Sequence, residues 1–153
     1  MVRIKKYPTI CISAQLEVLH KYFPSGKTIS HNPSKFEWVL GITPTPNSIT
    51  YKVKIEYTLG QNPNIFVISP KRLKKYADTS SLQHVYDEEE QQICLFRPGI
   101  GEWQPYKFIA KTIVPWAAEW LAFYEIWVLT GEWKGEGLHP RKYPSKRKTI
   151  NRK

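Results

Sequence analysis

The sequence predicts an α+β fold with a short N-terminal helix, an antiparallel β-meander, a long irregular stretch and an aromatic-rich C-terminal helix. Two patterns carry this. In "SITYKVKIEYTL", Ile49, Tyr51, Val53, Ile55, Tyr57 and Leu59 alternate unbroken with Thr50, Lys52, Lys54, Glu56 and Thr58. That is a strand with one buried and one wet face, as antiparallel sheets have. In "PWAAEWLAFYEIWVL", Trp116, Trp120, Phe123 and Trp127 recur at spacings of four, three and four, an aromatic stripe at helical period.

Taken in order, "SAQLEVLHKYF" places Leu16, Leu19, His20 and Phe23 on one helical face, with Ser13 as cap and Pro24 as stop. After a polar loop, "KFEWVLGIT" reads as the first strand, the alternating segment as the second and "IFVIS", beyond the turn "GQNPN", as the third. Residues 70–107 have little periodicity. An irregular stretch of that length in a small domain is more often functional than idle. Pro115 suits the first turn of the last helix and Gly131 its end. Cys11, among apolar neighbours just before the first helix, reads as structural.

A chain of 153 residues with 41% apolar content is enough for one core. The longest apolar run, "IVPWAAEWLAFYEIWVL", carries two glutamates and a proline and falls short of the roughly 20 residues that span a bilayer. Two cysteines are too few for a secreted disulfide scaffold, and no signal peptide precedes them, so a cytoplasmic protein without a membrane partner is expected. The net charge of +10 falls in "RIKK" (3–6), "KRLKK" (71–75) and the basic tail 141–153, expected to be flexible. No zinc-finger, helix-turn-helix or RRM signature accompanies it, which leaves nucleic acid as the weaker reading of the charge.

Familiar site motifs fail. "SGKT" at 25–28 has Lys21 where a phosphate-binding loop needs glycine, and "GIG" at 99–101 lacks its strand and third glycine. The four histidines and two cysteines show no metal-ligand spacing, so neither a metal nor a cofactor is expected. There remains Cys94, in a loop-rich region after the acidic run Asp87–Glu90. A thiol with an ordinary pKa is mostly protonated at neutral pH, and neighbouring carboxylates would only reduce the thiolate further. It would still react with an acyl donor that is already activated.

The string "HVYDEEEQQICLFRPGIGEWQP" resembles the active-site segment of ubiquitin-conjugating (UBC) enzymes, where a His-Pro-Asn triplet precedes Ile-Cys-Leu and Trp-x-Pro follows. His84 stands ten residues before Cys94, and Trp103 and Pro105 match the later pair. The resemblance implies a UBC-like fold over residues 1–140, with Cys94 as acyl carrier on a surface-presented segment, His84 ordering that loop, and Trp103 and Pro105 supporting it. Val85 and Tyr86 stand in place of the family's proline and asparagine. The asparagine supports the oxyanion or the loop, a contribution worth about 2.7 to 4 kcal/mol elsewhere. Tyr86 either donates a hydrogen bond in its stead or is a packing residue. The Tyr-Pro-x-x-Pro-Pro pattern is missing.

The ending "PWAAEWLAFYEIWVLTGEWKGEGLHP" is similar to bacterial UBC-like proteins of CBASS antiphage operons, which act beside a cGAS-like nucleotidyltransferase. The resemblance implies that Cys94 handles the C-terminal tail of that nucleotidyltransferase and primes its cyclic-dinucleotide synthesis. At this length the stand-alone form, without an adenylating domain, is expected. Two alternatives stay open: a non-catalytic binding partner of the nucleotidyltransferase, and a basic nucleic-acid-binding protein.

Overall fold

The alternating segment becomes an interior strand of the sheet. The computed structural model describes residues 7–97 and 99–135, so the basic stretches at 3–6 and 141–153 lie outside the described residues. Its elements are α1 (Ile12–Tyr22), β1 (Lys27–Asn32), β2 (Lys35–Ile42), β3 (Tyr51–Thr58), β4 (Asn64–Ser69), β5 (Val85–Asp87), β6 (Gln92–Ile93), a 3₁₀ turn (Ile109–Lys111) and α2 (Ile113–Thr130). All strand pairs are antiparallel, in the order β1-β2-β3-β4-β6-β5.

Register sets buried residues opposite buried residues. Phe36 faces Tyr57, Trp38 faces Ile55, Leu40 faces Val53 and Ile42 faces Tyr51. Ile65 then stands between Ile55 and Ile93. One face of the sheet is therefore continuous core, joined to residues of both helices in a single cluster. Lys52, Lys54 and Glu56 lie on the other face, in accord with the alternation.

The differences from expectation have local causes. The sheet has six strands instead of three because "KTISHN" forms the edge strand β1, almost wholly exposed and thus without apolar alternation, and the short β5 and β6 add beyond β4. "IFVIS" belongs to the fourth strand, not the third. Ile49 and Leu59 fall outside β3 and are exposed. In α1 the buried face is Ile12, Gln15, Leu16 and Leu19, while His20 is exposed with its ring edge-on to Trp38 at 4.7 Å. Ser13 is not the cap: the helix begins before it, Cys11 takes that position, and the Ser13 hydroxyl lies 3.3 Å from the Cys11 sulfur. Cys11 is exposed, not an interior packing residue, and the hydrogen bond from Ser13 leads the effects that lower its pKa.

The helix α2 is held at its far end by carboxylate and phenol contacts. Glu125 accepts hydrogen bonds from the Ser48 hydroxyl (2.6 Å) and the Tyr51 hydroxyl (2.8 Å). Tyr124 donates to the Lys74 carbonyl at 2.7 Å and meets Tyr51 edge-on. Burial, followed by the Glu125 carboxylate, pushes Tyr51 up; burial foremost pushes Tyr124 up to about 12. Gln15, fully buried, ties α1 to the 3₁₀ turn by donating to the Lys107 carbonyl (3.0 Å) and accepting from the Ile109 amide (2.9 Å). Gln15→Leu keeps the volume but strands both main-chain groups; a loss of about 2–4 kcal/mol is expected, read as a lowered urea midpoint with an unchanged m-value.

Candidate active site

The irregular stretch is organised by one buried side chain. Gln91 is 4% exposed and sits in the left-handed region, at φ 53°. Its amide donates to the carbonyls of Val67 (2.8 Å) and Pro70 (3.1 Å), and its side-chain oxygen accepts from the Leu73 amide (2.7 Å). The acidic run forms the turn between β5 and β6. Asp87 accepts from the Glu90 amide at 3.0 Å, and Glu88 accepts from the Leu82 amide at 2.9 Å and pairs with Lys75 at 2.6 Å. The Lys75 ammonium lowers the Glu88 pKa. Two of the carboxylates expected to suppress a thiolate are thus committed to shaping the turn.

That turn delivers His84 and Cys94 side by side. The Cys94 amide donates to the His84 carbonyl at 2.9 Å, and the Trp120 indole N–H donates to the same oxygen at 3.0 Å. His84 also adopts a left-handed φ of 51°, uncommon for a side-chain-bearing residue. The Cys94 sulfur lies 3.6 Å from the Phe96 carbonyl oxygen, within reach of a weak S–H donor. The Tyr86 hydroxyl donates to that same carbonyl at 3.1 Å, while 51% of the residue remains exposed. Tyr86 thus bonds the segment after the cysteine.

Trp103 packs against Phe96 of this segment, whereas Pro105 bonds the chain ahead of α1. Trp103 is buried, edge-on to Tyr57 at 5.7 Å, next to Phe96, and its indole donates to the Thr112 hydroxyl at 3.0 Å, just ahead of α2. The Pro105 carbonyl accepts from the Ile10 amide at 3.0 Å, anchoring the chain that leads into α1.

The thiol itself is closed off. Cys94 is 3% exposed and borders a cavity of about 10 Å³, shared with His84, with Trp116, Trp120 and Phe123 of α2, and with Trp133 and Gly135. Such a volume holds at most one water. The expectation of a sulfur presented at the surface is therefore corrected: the chain beyond α2 turns back over it. Gly131 ends the helix with φ 78°, and Trp133 lies 4.8 Å from the His84 ring and 5.4 Å from Trp120, centre to centre.

A family model for type II CBASS E2 proteins matches residues 15–140, most of the chain. The chain belongs to the type II CBASS E2 family. No curated protein matches it. Membership gives this CBASS E2 an E2-like, conjugating-enzyme type of role in CBASS antiphage defence and an association with components of that operon. Among the described residues no helix is long and apolar enough to cross a membrane.

In this CBASS E2, His84 bonds Cys94, Tyr86 bonds the Phe96 carbonyl and Trp103 packs against Phe96, while Pro105 bonds the chain ahead of α1; the groups that position the loop were not foreseen. The Trp120 indole, the Phe96 carbonyl and Gln91 act through hydrogen bonds that leave no mark in residue periodicity. Trp120→Phe keeps most of the ring packing and removes one donor to His84. A loss of about 1 kcal/mol is expected, together with faster hydrogen exchange at the Cys94 amide. Unchanged exchange would show that the indole does not hold the loop.

Proposed function

We propose that Cys94 is the acyl carrier of this CBASS E2 and that the carboxyl it carries is the C-terminus of the cognate cGAS-like nucleotidyltransferase, whose cyclic-dinucleotide synthesis it thereby regulates. The observation that carries the reading is the pairing of Cys94 and His84 through one main-chain hydrogen bond, with both residues lining the same cavity. The E2-like family supplies the class of chemistry.

The donor arrives activated, as an adenylate or a thioester. The sulfur attacks the acyl carbon, the new C–S bond replaces the bond to AMP or to the donor thiol, and the thiol proton passes to solvent or to the departing group. An activated acyl donor needs little thiolate, which suits a sulfur that sits beside a carbonyl oxygen in a cavity lined by aromatic residues. His84 acts as a positioning residue, through its carbonyl. Tyr86 is the second positioning residue: its hydroxyl holds the Phe96 carbonyl in place beside the sulfur, at the point where the family's asparagine is absent. Trp103 and Pro105 keep the loop seated on the sheet.

A second reading, an inert fold that only binds the nucleotidyltransferase, is favoured by the burial of the thiol. One substitution separates the two. Co-expressed with its nucleotidyltransferase, the wild type is expected to carry a thiol-labile adduct of the partner's mass, and Cys94→Ala to carry none and lose regulation; an intact complex with full regulation in Cys94→Ala would establish the binding role. Tyr86→Phe is expected to slow adduct formation about 5- to 30-fold, the size of one lost hydrogen bond of about 1–2 kcal/mol, while leaving complex formation unchanged.

A further inference from the structure

We infer that residues 131–135 form a gate over Cys94, with Trp133 as its latch: Trp133 occupies the cleft by which an acyl donor reaches the sulfur, and loading requires it to leave. The inference rests on the reading of Cys94 as acyl carrier and adds the control of access to it.

The walls of the cavity differ in how they are held. Trp116, Trp120 and Phe123 project from α2, and His84 and Leu95 belong to the loop that is hydrogen-bonded to that helix through the His84 carbonyl. Among the described residues, the part of the wall that lies past the helix end is Trp133 and Gly135. Among these residues no main-chain hydrogen bond joins 132–135 to the sheet or the helices, and the polar contacts of 132–135 are local: the Glu132 amide donates to the Thr130 hydroxyl at 3.1 Å, and Lys134 meets Glu132 at 3.3 Å with both side chains exposed. A segment with few tertiary hydrogen bonds belongs to the parts of a protein that open first.

Glycines bound the gate on both sides. Gly131 supplies the left-handed turn that reverses the chain, and Gly135 lies so close that an added Cβ would come within 2.8 Å of the Phe123 ring and 2.7 Å of the Trp133 indole. Among the described residues, what closes the gate is ring packing: Trp133 against His84 at 4.8 Å, Trp120 at 5.4 Å and Phe123 at 6.2 Å. The cleft it fills is walled by aromatic rings and one imidazole. The entrant that displaces it is accordingly an extended chain end with an apolar side chain close to its carboxylate, able to exchange one apolar contact for another.

The test is the rate of alkylation of Cys94 by iodoacetamide in the full chain, followed by peptide mass analysis with exposed Cys11 as internal reference. Trp133→Ala removes the latch and Gly135→Val forces it off its seat. Both are expected to raise the Cys94 rate at least about ten-fold with the Cys11 rate unchanged, and with a denaturant dependence shallower than that of global unfolding. Rates equal to the wild type in both variants would overturn the gate, as would acceleration whose denaturant dependence matches global unfolding. Fast alkylation in the variants with no partner adduct on Cys94 would instead remove the acyl-carrier reading and leave the gate standing.

Discussion

The site depends on one oxygen. The His84 carbonyl accepts from the Cys94 amide and from the Trp120 indole, so it joins the start of the β5–β6 hairpin, the cysteine that follows it and the middle of α2. The left-handed backbone at His84 costs on the order of 1–3 kcal/mol, and two hydrogen bonds to a single part-buried acceptor are what offset it. The join is made by the main chain, and the imidazole packs beside the Trp133 ring.

The C-terminal helix serves two faces at once. Ala117, Leu121 and Tyr124 are buried in the core, while Trp116 and Phe123 at its flank are half-buried and wall the cysteine cavity. Its position is set at both ends, by Trp103 bonding Thr112 before the first turn and by Glu125 receiving Ser48 and Tyr51 near the last. A helix fixed in this way carries its aromatic flank to the same place relative to the sheet, and the cysteine loop, bonded to Trp120, follows.

What could be read beforehand was whatever repeats along the chain. The alternation of Tyr51 to Tyr57 and the stripe from Trp116 to Trp127 are properties of consecutive residues, and both elements formed where they pointed. The edge strand at Lys27–Asn32 is polar on both faces and has no such signal. The hairpin strands Val85–Asp87 and Gln92–Ile93 are too short for any period, and they exist because β4 offers them an edge. At the site, the spacing of His84, Cys94, Trp103 and Pro105 survives in the sequence because each is a fixed distance along one loop. The burial of Cys94 did not, since Trp133 reaches it only after the chain has passed through the whole of α2 and reversed.

Gln91 adds a property of another kind. By grasping the main chain of Val67, Pro70 and Leu73, it decides where the strand exit leads without reference to the side chains it positions. The stretch Lys71 to Lys75 is thereby fixed mainly through its backbone: Lys75 is tied to Glu88, but among the described residues Lys71, Arg72 and Lys74 make no ion pair, so their charge can be exchanged or neutralised while the path of the chain stays the same. That end of the molecule has a patch whose chemistry is open to revision at small structural expense.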